Sequence, residues 1–465
     1  MILRQYQSDL IDRTRASLKS GKRAPLLVSP CGSGKTVMFS YFAKRVTERG
    51  KRTLILAHRS ELIDQISRTL MEFSVRHALI VPGSQYNSDD KVHVASVFSV
   101  VRKLSKINAP DIIIIDEAHH AIKGSTWGKV LDAYPSAWRI GVTASPVRLS
   151  GESLGDIFDD MVVGPSVKEL IAIGALCKYR IFAPSTINTS GVHLIGGDFN
   201  KKELSFAANK PHITGDAIRE YRSHADGKRA LVFCVGIDHA RDVAAQFAAN
   251  GYRSACLDGK LSKEVRADMV ASFRKGEINV LTSCEIVSEG FDLPAIEVAI
   301  LLRPTSSLGV FIQQTGRALR PFDGKVEAII LDHAGNTMRH GLPCEDREWS
   351  LEGKARRKIS GDDEDKISVR ICPKCFAASV GNAIACSYCG HVFEIKPREI
   401  NQVEGSLEEI NPEALRRSRM RMQGQAQSLQ DLIDLGRSRG YRRPEAWAHF
   451  VFQARQSRRL SGVGS

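Results

Sequence analysis

No apolar run in this chain approaches the roughly 20 residues that a membrane-spanning helix requires. Its apolar runs, such as Ile112 to Ile115, have the length of a strand. Met1 to Leu10 holds no apolar stretch of the signal-peptide kind. Cysteine is sparse and unevenly placed: of ten, four form two tight pairs late in the chain and six are scattered, mostly in apolar strand-like segments. That pattern predicts a reducing cytoplasm and one metal site rather than a disulfide framework. A nuclease-like set of acids is also missing, since the spare carboxylates crowd into one run, Asp362 to Asp365.

What is present begins with charge. Sixty-six Lys and Arg stand against 52 Asp and Glu, a formal net charge of +14. An excess of this sign favours a polyanion through counterion release and steering, although solubility alone would also account for it. A length of 465 residues predicts about three domains.

The first third alternates apolar strand-like runs (Pro25 to Ser29, Thr53 to Ala57, Val92 to Ala95, Asp111 to Ile115, Trp138 to Val142) with amphipathic helical runs. The rhythm weakens from Pro146 to Asn209 and then restarts, with strands at Arg229 to Cys234, Arg253 to Leu257, Asn279 to Ser283, Glu297 to Leu302 and Val326 to Leu331. Strands separated by helices predict an α/β fold of two tandem parallel-sheet domains with helices on both faces. The expected organisation is a first domain over residues 1–178, a second over 179–345, a charged linker over 346–370, a cysteine module over 371–395 and a basic helical tail over 396–465.

Pro30-Cys31-Gly32-Ser33-Gly34-Lys35-Thr36 sits between a strand and a helix, the context that a phosphate-binding loop requires. Glycines let backbone N–H groups approach phosphate oxygens, and the helix N-terminus adds positive dipole. In this reading Gly32, Ser33 and Gly34 cradle the phosphates of ATP, Lys35 reaches its β- and γ-phosphates, and Thr36 ligates Mg²⁺. The full motif wants glycine at position 29, where this chain has Ser29. Asp116-Glu117-Ala118-His119 closes a strand of four isoleucines. A carboxylate at the C-terminal edge of a parallel strand faces the crevice where ligands bind. Asp116 is expected to hold Mg²⁺ through water, and Glu117 to orient the attacking water.

These residues, with others in the same order, resemble the superfamily 2 helicases. Within that group the chain is most similar to the RadD-like and type III restriction-subunit-like branch, phage-type helicases included, over about residues 2–392. The resemblance implies two RecA-like domains. It also implies roles residue by residue. Gln7, in Leu3-Arg4-Gln5-Tyr6-Gln7, would read the adenine edge. His58 and Arg59, in Leu56 to Leu62, and Ser96, in Ala95-Ser96-Val97, would touch the nucleic-acid backbone. Thr143 and Ser145, in Thr143-Ala144-Ser145-Pro146, would couple hydrolysis to domain movement together with His119 and Gln313. Gly290 and Asp292, in Glu289-Gly290-Phe291-Asp292, would contact the nucleotide. Arg317 and Arg320, in Gln313 to Arg320, would be arginine fingers. The physics agrees: phosphoryl transfer needs positive charge where negative charge develops, and placing it on a second domain makes hydrolysis conditional on closure. Three residues apart on an expected helix, both arginines can face one cleft.

Cys372-x₂-Cys375, ten residues, then Cys386-x₂-Cys389 have the spacing of two zinc knuckles. Four thiolates would close one structural Zn²⁺ site, with His391 outside it. From Pro412 to Ser465 there are 11 Arg, no Lys and 4 acids, with helical patterns around Leu429 to Leu435 and Trp447 to Phe452. The expected activity is an ATP-dependent DNA helicase or translocase in replication, recombination or repair, with a possible replication, repair or nuclease partner protein and no membrane association. An RNA helicase is one alternative. A translocase subunit or zinc-ribbon adaptor that does not unwind is the other.

Overall fold

The computed structural model describes residues 2–148, 152–183, 194–195, 198–199, 211–284, 293, 296–352, 356–357, 369–372, 377–380, 383–386, 388–393, 423, 426, 428–438, 445, 448–449 and 451–453. Two parallel sheets organise them. The first contains β1 (Pro25–Val28), β2 (Thr53–Ala57), β3 (Ala78–Ile80), β4 (Val92–Ser96), β5 (Ile112–Asp116), β6 (Trp138–Thr143) and β7 (Asp160–Val163), in the order β3-β4-β2-β5-β6-β1-β7. The second contains β8 (Lys178–Phe182), β9 (Ala230–Phe233), β10 (Ser254–Leu257), β11 (Val280–Ser283), β12 (Val298–Leu301) and β13 (Glu327–Asp332), in the order β10-β11-β9-β12-β13-β8.

Every central strand is buried on both faces, so its sequence reads as a continuous apolar run and not as an alternation. The isoleucine strand shows how the run divides. Ile114 joins the core beneath the helices Gln5–Lys19, Lys35–Thr47 and Ser60–Glu72 with Leu10, Phe39 and Ile66. Ile113 and Ile115 join the opposite core with Val97, Leu131 and Phe158. Parallel pairing also brings the strand C-termini to one edge, where β1, β5 and β6 deliver the phosphate loop, Asp116 and Thr143 side by side.

Three regions depart from the sequence pattern. β7 lies where the rhythm weakens, pairing with β1 as an edge strand. Its apolar run is only three residues long, Met161 to Val163, and only Val162 of it is buried. Lys178, the last residue of the expected first domain, pairs with Glu327 in the second sheet. The expected linker is fixed at its start. The Leu351 carbonyl accepts from Leu154 N, Gly155 N and Ser153 Oγ, while Trp349 and Leu351 pack on the first domain's core. Two apolar side chains inside a charged run account for this attachment.

The cysteine module packs onto edge strand β8. Phe182 forms an antiparallel bridge to Ala377, Cys372 and Cys386 are buried with the second domain's core, and the Arg180 guanidinium sits 4.5 Å over the Tyr388 ring. Covering a sheet edge in this way blocks further strand pairing. Residues Ile395–Ser465 form a separate unit. In it the helix Leu429–Ser438 buries Leu432 with Ala426 and Ala448; Trp447 and Phe450 lie outside the described residues. Among the described residues no helix is long and apolar enough to cross a membrane.

Gly141 of β6 lies between Leu26 and Phe158, and a Cβ there would come within 2.7 Å of Leu26 Cδ1. Gly141→Ala should therefore cost about 1–3 kcal/mol by overpacking, read as a lower urea midpoint. An unchanged midpoint would show that the sheet gives way freely at this position.

Candidate active site

The phosphate loop is held in shape by its own side chains and by the chain's first helix. Gly32 and Gly34 have φ of 86° and 80°, a region that side-chain-bearing residues rarely adopt. Ser29, standing where the motif wants glycine, donates from its hydroxyl to Ser33 Oγ at 2.7 Å and ties the two ends of the loop together. Tyr6 Oη and Gln7 Nε2 both donate to the Ser33 carbonyl, at 2.7 and 3.0 Å. A Cβ on Gly34 would lie 2.5 Å from Gln7 Nε2, so a side chain there would displace the Gln7 amide as well as strain the φ of 80°. Lys35 Nζ reaches back towards the Ser29 and Pro30 carbonyls, at 3.3 and 3.4 Å.

Asp116 ends β5, is 3% exposed, and accepts the backbone N–H of Glu117 at 3.0 Å. Burial, reinforced by the neighbouring Glu117 charge and opposed by Lys35, pushes its pKa up to about 7. Two adjacent carboxylates lining one cleft fit a divalent cation, whose charge would relieve both costs. Glu117 adopts φ 47°, a strained backbone for a side-chain-bearing residue, which turns its carboxylate back towards the cleft. Behind it, His119 Nδ1 lies 3.0 Å from Thr143 Oγ1 and 3.4 Å from Glu117 Oε2. Thr143 Oγ1 in turn donates to the Ser145 carbonyl and accepts from Ser145 N. His119, Thr143 and Ser145 thus join the ends of β5 and β6 behind the cleft.

From the second domain, the helix Leu308–Ala318 lies across these strand ends. Its glycines permit the approach: a Cβ on Gly316 would lie 2.6 Å from Cys31 Cβ, and one on Gly309 would lie 3.0 Å from Ser145 Oγ. Arg317 is 3% exposed on this helix. Arg320 departs from expectation, since the helix ends at Ala318 and Arg320 follows the terminal turn. It still reaches the cleft, with Cγ 3.1 Å from where a Gly32 Cβ would stand.

One cavity of about 420 Å³ results. Gln7, Gly32, Ser33, Gly34, Lys35, Thr36, Asp116 and Glu117 line it from the first domain, and Gln313, Arg317 and Arg320 from the second. The sequence reading passed over Cys31, which lies among them. Burial pushes its thiol pKa up, but the charges of Arg320, Lys35 and Arg317 outweigh this and leave it lowered, in keeping with the positive groups gathered around it. Only the contact with Gly316 reveals its position, and that contact is tertiary. Gly290 and Asp292 lie outside the described residues. His58 and Ser96 stand away from the cavity, at the ends of β2 and β4, where Ala57 and Ser96 pair; Arg59 follows His58.

In the cysteine module the sulfur atoms of Cys372, Cys386 and Cys389 lie within 4.8 Å of one another, and those of Cys372 and Cys389 are 3.6 Å apart. That separation matches the edge of a tetrahedron with metal–sulfur bonds of ~2.3 Å. Cys375 lies outside the described residues, and His391 takes no part in the cluster.

The arginine-bearing helix is held at its C-terminal end. Lys325 Nζ donates to the carbonyls of Ile296 (2.7 Å), Arg320 (2.9 Å) and Ala318, and Cys177 N donates to that of Leu319. These bonds satisfy carbonyls that a helix end leaves open. Burial pulls the Lys325 pKa down to about 8; Cys177 and Glu297 pull it up, and Arg229 and Lys228 push it further down. Turnover should therefore fall as pH rises through about 8. Between about 8 and the ordinary 10.5, the folded chain binds fewer protons at Lys325 than the unfolded one. The group's contribution to stability thus rises with pH in that window, opposite in sign to the loss of turnover. Lys325→Arg should move the fall in turnover to higher pH, and a pH–rate profile unchanged by it would contradict this anchoring.

Comparison with known proteins agrees with this geometry. Residues 1–148 match the family model described as type III restriction enzyme, res subunit, and residues 210–321 match the helicase conserved C-terminal domain. A 51.5 kDa protein of Lactococcus phage (isolate 7-9) is 34% identical over 394 residues, covering 84% of this chain and 83% of its own length. IRC3 of Saccharomyces cerevisiae, provisionally named an ATP-dependent helicase, is 30% identical over 358 residues, 72% of this chain; the chain spans about half, 52%, of that protein. Among solved structures, a fragment provisionally assigned as the HsdR subunit of a type I restriction enzyme from Vibrio vulnificus shares the fold, with a TM-score of 0.59 and 21% identity over 76% of this chain and 67% of its own. The chain belongs to the superfamily 2 ATP-dependent helicases, in their type III restriction-subunit-like branch.

Proposed function

We propose that this chain is a DNA translocase or helicase that hydrolyses ATP in the cleft between its two sheet domains, in replication, recombination or repair. One observation carries the reading: the helix Leu308–Ala318 brings Arg317 and Arg320 into the same cavity as Lys35 and Glu117. Lys35 and the loop N–H groups hold the β- and γ-phosphates. Glu117 polarises the water that attacks the γ-phosphorus in line with the leaving ADP oxygen. Arg317 and Arg320 offset the negative charge that develops on the transferring group. Asp116 and Thr36 would hold Mg²⁺, which would supply positive charge against that of the phosphates. Release of phosphate weakens the attraction between the arginines and the first domain, so the domains part and close once per turnover.

The restriction-subunit match and the net charge of +14 favour DNA as the track. His58, Arg59 and Ser96, at neighbouring strand ends, are the proposed backbone contacts. Cys372, Cys375, Cys386 and Cys389 are the proposed ligands of one structural zinc that fixes the module against β8. The scattered free thiols fit a cytoplasmic setting.

The test is ATPase rate against single-stranded DNA, duplex DNA, forked DNA and RNA. DNA should stimulate the wild type, and Lys35→Ala and Glu117→Gln should lose the stimulated rate. Stimulation by RNA alone overturns the choice of DNA. Full turnover in either variant overturns the assigned chemistry.

A further inference from the structure

Three histidines run in contact from the strand-end loop to the catalytic acids. The rings of His58 and His120 have centroids 4.6 Å apart, and those of His120 and His119 are 4.2 Å apart. At the outer end, Arg59 Nε donates to His58 Nε2 at 3.2 Å, so that nitrogen accepts. At the inner end, the single hydroxyl proton of Thr143 goes to the Ser145 carbonyl. The 3.0 Å bond from His119 therefore places a proton on its Nδ1, the atom that also faces Glu117 Oε2 at 3.4 Å.

The backbone on either side of His120 is clamped. Arg148, 5% exposed, donates to the carbonyls of His119 (3.2 Å), Ala121 and Ser153. A buried guanidinium committed to these carbonyls leaves the His120 main chain little freedom. Any response of the ring to its neighbours is then a tilt or slide against His58 on one side and His119 on the other.

We propose that His120 is a positioning residue, transmitting engagement of the nucleic-acid backbone at His58 and Arg59 to His119 and, through it, to the orientation of Glu117. The proposal rests on the nucleic-acid contact assigned above to those two residues. When Arg59 turns to a phosphate, its bond to His58 Nε2 is given up and the position of the His58 ring changes. The His120 ring lies tilted against it at 4.6 Å, and the displacement passes to that ring by direct contact. The shift at His119 alters the 3.4 Å contact between its Nδ1 and the Glu117 carboxylate. Stimulation by nucleic acid is then a coupling free energy carried by three rings, and it is measurable as such.

The experiment measures three quantities in the full chain: ATPase without DNA, ATPase at saturating single-stranded DNA, and DNA affinity by fluorescence anisotropy. His120→Ala is expected to keep basal rate and DNA affinity close to wild type while stimulation falls by about tenfold. His120→Phe, which keeps a planar ring between the two neighbouring rings, is expected to recover most of it. His120→Asn, which keeps polarity without a ring, should behave like the alanine variant and covers the case in which alanine unfolds the loop. Equal losses of basal and stimulated rate, with no recovery by phenylalanine, would assign His120 to packing alone and overturn the proposal. Undiminished stimulation in the alanine and asparagine variants would also overturn it. A wild type that no nucleic acid stimulates would instead overturn the reading on which the proposal rests.

Discussion

The contact on which the structure turns is the seat of the helix Leu308–Ala318 on the C-terminal ends of β1 and β6. It is a steric contact: Gly316 meets Cys31 and Gly309 meets Ser145, seven residues apart along one helix. With side chains at these positions the helix would stand off, and Arg317 and Arg320 would withdraw from the phosphate loop. With glycine, a guanidinium-bearing element approaches a loop that already carries Lys35 and a helix N-terminus. Bringing these positive groups together is favourable only when something negative lies between them, which makes closure sensitive to a bound polyphosphate.

The opposite charge is arranged with equal care for its cost. Asp116 is buried beside Glu117, and neither burial nor a like-charged neighbour favours an ionised carboxylate. The same groups would become stable partners with a phosphate and its cation in the cleft. The left-handed backbone of Glu117 stores strain at the same point. Surrounding structure sustains it: β5 and β6 pair through Asp116 and Val142, and Arg148 holds the carbonyls just beyond. Rigid strands thus aim the groups, while the cleft remains open to change.

Much of this was legible in the sequence because it is encoded locally. The loop's glycines and Lys35 follow a fixed spacing, and Asp116 and Glu117 end an isoleucine run that could only be a buried strand. The parallel α/β class followed from apolar runs divided by amphipathic helices. What escaped depends on contacts distant in sequence. β7 carries an apolar run of only three residues, Met161 to Val163, at a sheet edge. The attachment of Trp349 and Leu351 to the first domain is hidden inside a charged stretch. Arg320 reaches the cleft from beyond the helix end, held by Lys325 and the chain around it, and helical spacing does not describe that path. Cys31 looked like an ordinary loop residue until Gly316 was placed against it.

The central claim is that hydrolysis requires both domains while nucleotide binding needs chiefly one. Nucleotide affinity and maximal ATPase rate, measured together on Arg317→Ala and Arg320→Ala, test it most directly. The account predicts affinity near that of the wild type and turnover lower by about 10³-fold or more. Turnover that survives removal of both arginines would place the chemistry in the first domain alone and contradict it.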